Sequence, residues 1–190
     1  VFAVQSFSEL SGQLSFKWFK AFATASLLLV IVGILDDRWG VNAWLKLMAH
    51  GLAAVFLFYT SGGNVGSVLG IEVPEYVDLA IWVIWTVAII NAFNLIDGMD
   101  GLCAGLAMIS ILSLTVLTIV LRSGTDAIVL IVMLGTLLGF LRYNFNPAKI
   151  FLGDTGSMFI GFFIASVALI STGERSVSYT HLTLPTTSKV

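Results

Sequence analysis

The sequence predicts an all-α protein, a polytopic membrane bundle of about six transmembrane helices. Three observations carry that expectation. Of 190 residues, 58% are hydrophobic and only 11% charged, against roughly 25% charged in an ordinary soluble domain. Mean hydropathy is +1.00. The apolar residues also fall into stretches of about 17–25, the length a helix needs to cross a bilayer.

The elements follow in order. Residues 1–15 are mixed and polar, without a basic n-region, so they read as part of an extracytoplasmic loop and not as a cleavable signal peptide. The first span covers about 16–35 and ends in the run Leu27-Leu-Leu-Val-Ile-Val-Gly-Ile-Leu35. The second covers about 44–60 and stops at Ser61-Gly62-Gly63-Asn64, which opens a turn-rich loop that includes Glu72, Pro74, Glu75 and Asp78. Spans three to six cover about 79–96, 102–121, 126–143 and 155–173. None has the polar face of a soluble amphipathic helix, as suits helices that face lipid or each other. Short connections favour antiparallel neighbours. The expected transmembrane core is 16–175. The stretch Ser176–Val190 is Ser/Thr-rich without a helical apolar period and resembles a translated sequencing-adapter tail. It is expected to be non-native, which makes His181 a poor ligand candidate. Because the chain opens on Val1, it is expected to be a fragment.

Net charge is −2, which argues against electrostatic binding of nucleic acid. The single cysteine, Cys103, cannot form an intrachain disulfide and reads as a small buried residue.

Three polar islands interrupt the apolar chain: Asp36-Asp37, then Asn91-Ala-Phe-Asn94-Leu-Ile-Asp97-Gly-Met-Asp100-Gly101, then Phe151-Leu-Gly-Asp154-Thr-Gly-Ser157. An even number of spans separates successive islands, so all three emerge on one membrane face. Arg38, Lys46, Arg142 and Lys149 lie on that face; Lys17, Lys20, Arg122 and Arg175 lie on the other. Setting aside the charges at the outer ends of the first and last spans, Lys17, Lys20 and Arg175, leaves four to one in favour of the island face, which is then expected to be the cytoplasmic one.

Ionisable groups beside a span are costly and point to function. Asp36 and Asp37 repel each other unless a cation is near; alone, they read equally as an active pair or as a cap in headgroup water. Asn91, Asn94, Asp97 and Asp100 recur every third residue, a stripe that drifts by roughly 60° per step on a helix. Gly98 and Gly101 are expected to end that helix and turn the later carboxylates back. Amide and carboxylate oxygens suit a hard cation shared with substrate phosphates, Mg²⁺ first and Mn²⁺ as the alternative. Gly153 and Gly156 bracket Asp154 at the start of the sixth span, where free N–H groups favour a phosphate. Phe151 offers a stacking face for a nucleobase. Lys46 either snorkels to the interface or returns to the Asp36/Asp37 surface as a phosphate clamp. Lys149 is another candidate phosphate contact.

Taken together, Leu35-Asp36-Asp37-Arg38, the Asn91–Leu102 segment and Phe151–Ser157 resemble the polyprenyl-phosphate N-acetylhexosamine-1-phosphate transferase superfamily (glycosyltransferase family 4). The resemblance covers about 16–173. The wording of the second island looks closest to the bacterial branch that transfers GlcNAc-1-phosphate to undecaprenyl phosphate and primes O-antigen, enterobacterial common antigen or wall teichoic acid. The resemblance implies transfer of a sugar-1-phosphate from a UDP-HexNAc to a membrane polyprenyl phosphate, with release of UMP, at a cytoplasmic face of the bacterial plasma membrane. It implies that Asn94 and Asp154 contact Mg²⁺, that Asp100 and Phe151 hold uracil, and that Lys46 binds phosphate. It further implies that Asp36 and Asp37 sit by the lipid phosphate, one of them as base, and that Asp97 shapes the metal site without touching the ion. Family members also carry earlier spans with a Pro/Arg/Gly-Gly motif and, after the third island, a His/Arg-rich loop. This chain has neither, so it is expected to be inactive alone. The alternatives are a phospho-MurNAc-pentapeptide transferase, an ion-coupled secondary transporter or a membrane scaffold. A transporter would place its carboxylates in mid-span, and a scaffold leaves the three islands unexplained.

Overall fold

A computed structural model describes residues 16–61, 67–68, 71–72, 74–120 and 124–180. The chain forms six long helices: α1 (Phe16–Trp39), α2 (Ala43–Ser61), α3 (Glu75–Ile96), α4 (Leu102–Val120), α5 (Gly124–Asn144) and α6 (Gly153–Thr180). Each contains a segment long and apolar enough to cross a membrane. Between α2 and α3, β1 (Ser67–Val68) and β2 (Ile71–Glu72) form a small antiparallel ladder. The expected N-terminal loop at 1–15, Arg122, and the last part of the tail with His181 lie outside the described residues.

The helices outrun the apolar stretches at three places, two of them for a local reason. α1 continues through Asp36, Asp37 and Arg38 to Trp39, with a basic residue in its last turn, where the helix dipole favours positive charge. It stops at Gly40, whose φ of 71° is left-handed and whose N–H donates to Asp36 C=O at 2.9 Å. α3 begins at Glu75 and not near 79, because Pro74 stands at its N-cap and Glu75 and Asp78 occupy its first turn; proline and acidic side chains both favour a helix start. α6 runs past Gly173 to Thr180, into the Ser/Thr-rich stretch.

α6 is the central helix. It packs on α1, α3 and α4, while α2 bridges α1 and α3, and α5 packs on α4. Within its span 61% of residues are buried in the protein, against 22–39% for the others. Met158, Phe162, Ala165 and Ser166 on α6 have no exposed surface. Phe22 of α1 stacks on Phe162, with ring centroids 5.2 Å apart, and meets Phe159 and Phe163 edge-on. Cys103 is buried and donates to Phe93 C=O at 3.5 Å. The outer surface carries large apolar side chains such as Ile84, Ile109 and Val132, each more than half exposed, as lipid contact requires.

Lipid is as apolar as leucine, so membrane helices associate through close packing and small residues at their crossings. Two glycines of this kind set α6 against its neighbours. A Cβ on Gly33 would lie 2.5 Å from Thr155 Cα, and one on Gly161 would lie 2.8 Å from Ile90 Cα. Both would strike backbone, which cannot move aside as a side chain can. Gly161→Ala is therefore expected to cost about 1–3 kcal/mol by overpacking, read as a lower thermal midpoint in detergent. Gly135 on α5 has open space around it, so Gly135→Ala is expected to be neutral or to stabilise by up to about 1 kcal/mol.

Candidate active site

All three polar islands meet at one end of the bundle. Asp36 and Asp37 are consecutive on α1, so their side chains leave the helix about 100° apart. Asp36 forms an ion pair with Lys46 and accepts the Val41 N–H at 2.6 Å. Lys46 lies in the first turn of α2, which Asn42 starts by accepting the Trp44 N–H at 3.0 Å. The same ammonium reaches Asp154 Oδ2 at 2.8 Å. A single lysine thus joins α1, α2 and α6.

Asp37 turns the other way, onto the first turn of α6. Its Oδ1 accepts the Asp154 N–H at 2.8 Å, and its Oδ2 accepts the Thr155 hydroxyl at 2.7 Å and the Thr155 N–H at 3.3 Å. Gly153 has φ of 70°, a left-handed conformation that favours glycine, and a Cβ there would crowd Asp37 Oδ2 at 3.0 Å. The N–H groups at this helix start, which from sequence favour a substrate phosphate, are taken by a carboxylate of the chain itself. The repulsion expected between Asp36 and Asp37 is relieved by Lys46 on one side and by the α6 N-terminus on the other.

The second island divides. Asn94 donates to the buried Ser157 Oγ at 3.1 Å, and Ser157 donates to Asp154 C=O at 3.2 Å. Asp97 caps the C-terminus of α3 and faces Gly153. Burial first, then the charges of Asp154 and Asp37, push its carboxyl up to about 6, although the Gly153 N–H pulls the other way. Asn91 points into the bundle instead, donating to Val87 C=O at 2.7 Å and lying 3.3 Å from His50 Nδ1. The drift of the stripe explains the separation. His50 is a buried residue that the sequence reading passed over, although an ionisable group within a span was the available signal.

Asp100, Lys149 and Phe151 lie on a rim beside this cluster. Asp100 Oδ2 accepts Asn146 Nδ2 at 3.2 Å and Ala148 N–H at 3.0 Å. Buried Asn144 accepts the Gly101 N–H at 3.1 Å and donates to Ile150 C=O at 2.9 Å, so it clips the two loops together. Gly101 itself has φ of 70°. Lys149 is exposed, and Phe151 is 74% exposed, leaving its ring open to solvent.

Among the described residues, no three or more His, Cys, Asp or Glu side chains are grouped to hold a metal by themselves. The donor chemistry nevertheless fits a hard cation: Asp36, Asp154 and Asn94 offer oxygens, and Asp36 and Asp154 are close enough to share one positive charge, that of Lys46. Substrate phosphates commonly complete the shell of a magnesium ion.

Two outcomes follow. Lys46→Met leaves two facing carboxylates without their shared cation; it is expected to lower stability by about 1–3 kcal/mol at neutral pH, and millimolar Mg²⁺ is expected to restore part of the thermal midpoint. Asp97 holds its proton more tightly folded than unfolded, since its carboxyl rises from 3.8 to about 6. Its contribution therefore falls as pH rises through that window and stays lower above it. Asp97→Asn is expected to flatten this decline, measured as thermal midpoints from about pH 4 to pH 7.

The sequence profile described as glycosyl transferase family 4 matches residues 19–172, which include the second and third islands and the Asp36/Asp37 pair. The decaprenyl-phosphate N-acetylglucosaminephosphotransferase of Mycobacterium tuberculosis is 35% identical over 171 residues, 82% of this chain and 42% of that protein. The protein of the same description from Mycolicibacterium smegmatis is 36% identical over the same shares. A phospho-N-acetylmuramoyl-pentapeptide-transferase of Fervidobacterium nodosum is 32% identical over 157 residues, 78% of this chain and 50% of that protein. The chain thus spans 42–50% of the length of these curated relatives. The profile match extends over most of the bundle and the whole charged cluster, and the chain belongs to glycosyl transferase family 4.

Proposed function

We propose that this chain forms the catalytic core of a membrane transferase that moves a HexNAc-1-phosphate, GlcNAc-1-phosphate foremost, from a UDP-sugar to undecaprenyl or a related polyprenyl phosphate. The observation that carries this reading is Lys46 held between Asp36 and Asp154 at the membrane end of the bundle. Two anionic substrates, one soluble and one anchored in lipid, must meet where the bundle reaches water. Phosphoryl transfer is mostly a matter of positioning and charge stabilisation. An oxygen of the lipid phosphate attacks the sugar-bearing phosphorus, the bond to the bridging oxygen breaks, and UMP leaves with that oxygen.

The residues divide that work. Lys46 holds phosphate charge, and Asp36 stands beside the acceptor phosphate. Asp154 and Asn94 would hold Mg²⁺, with Mn²⁺ as a substitute; when bound, the ion neutralises the donor pyrophosphate. Asp97 holds the turn against Gly153. Asp100 and Phe151 form a rim suited to uracil, with Lys149 as a further phosphate contact. The island face is the cytoplasmic one, in accord with the excess of Lys and Arg it carries once the charges at the outer ends of the first and last spans are set aside. A phospho-MurNAc-pentapeptide transferase is the second reading, supported by the match to the protein from Fervidobacterium nodosum. The mycobacterial relatives favour GlcNAc by covering slightly more of the chain at slightly higher identity. An ion-coupled transporter is disfavoured, because the carboxylates gather at helix ends.

The test is UMP release in membranes or nanodiscs that contain polyprenyl phosphate, with the chain joined to its native flanking sequence; alone, the 190 residues are expected to be silent. Mg²⁺-dependent release from UDP-GlcNAc is expected, and Asp154→Asn is expected to lower it by about 10²-fold or more. Release from UDP-MurNAc-pentapeptide alone would select the second reading. No release from any UDP-sugar would end the transferase reading.

A further inference from the structure

The two adjacent carboxylates at the end of α1 face different partners, and the geometry separates their roles. Asp37 spends both oxygens on α6: Oδ1 on the Asp154 N–H, and Oδ2 on the Thr155 N–H and hydroxyl. An ionised carboxylate has about four lone-pair sites, so most of its acceptor capacity is used within the protein. One helical turn earlier on α1, Gly33 brings the same two helices into backbone contact at Thr155. Gly153 leaves the space that Asp37 fills. Asp154, whose N–H Asp37 holds, is the residue that meets Lys46 on its other side.

We propose that Asp37 is a positioning residue. It fixes the first turn of α6 so that Asp154 faces Lys46 and Asp36, and it does not remove the proton from the acceptor phosphate. Thr155 is its partner in this lock. The proposal deepens the transferase reading and rests on it for the identity of the reaction. A general base must reach the proton it abstracts with a free lone pair. Although Asp37 is exposed, its oxygens point at the α6 N-terminus.

The experiment compares Asp37→Asn, Thr155→Val, Thr155→Ser and the Asp37→Asn/Thr155→Val double variant in the chain with its native flanks. If Asp37 positions Asp154, Asp37→Asn and Thr155→Val each lower kcat or raise the Mg²⁺ requirement by about 10–100-fold, as the loss of groups that orient metal ligands commonly does. The double variant then matches the worse single variant, and Thr155→Ser, which keeps the hydroxyl, stays near wild type. Loss of all measurable turnover in Asp37→Asn with Thr155→Val at wild-type rate would overturn the proposal, as would multiplicative losses in the double variant. Mn²⁺ affinity, read by electron paramagnetic resonance on substrate-free protein, repeats the comparison without turnover. A shared weakening is expected; unchanged affinity in both single variants also overturns the lock. Wild-type protein that binds Mn²⁺ with this pattern yet releases no UMP would sink the transferase reading and leave the lock standing.

Discussion

One ammonium holds the end of this bundle together. Lys46 meets Asp36 from α1 and Asp154 from α6 while standing on α2. Without it, two carboxylates would face each other at a membrane surface, where partial desolvation amplifies repulsion. The packing below makes that encounter unavoidable. Gly33 and Gly161 seat α6 so close to α1 and α3 that its first turn has little freedom to retreat. The charged end and the apolar body are therefore one construction: close helix crossings press the carboxylates together, and a lysine makes the result tolerable.

Asp37 solves the same problem by a different means. It uses the free N–H groups of α6, which every helix start must satisfy, and so converts a helix-capping need into a link between helices. Two neighbouring carboxylates are thereby neutralised by two kinds of positive charge, one a side chain and the other a helix end. Asn94 adds a neutral link from α3 through Ser157 to the backbone of Asp154. Three helices hold the orientation of one short turn.

Much of this was legible in the sequence. The six helices are visible because lipid demands long apolar runs, and counting spans between islands puts the islands on one face. Helix ends were harder. Hydropathy reports depth in lipid, whereas a helix continues as long as its backbone can bond, so α1 keeps Asp36 to Trp39 and α3 begins with Glu75. Lys46 could have snorkelled or turned inward, and only the approach of α6 decides between them. The link from Asp37 to Thr155 joins residues 118 positions apart, so no local pattern encodes it. Asn91 shows the reverse: it shares the spacing of Asn94 yet faces His50, because a three-residue period walks around a helix.

The clip made by Asn144 has a mechanical consequence. It ties the turn after α3 to the loop before α6, and the chain runs from that clip through Phe151 straight into Asp154. The exposed aromatic rim and the charge cluster are therefore borne on one short stretch of backbone, anchored at both ends. Asn144 pins this stretch at one end, and Asp37 and Lys46 pin it at the other, so the backbone itself sets the spacing between rim and charge cluster. The open, water-facing edge and the charge cluster at the membrane surface are thereby held in one fixed relation, on a single piece of backbone.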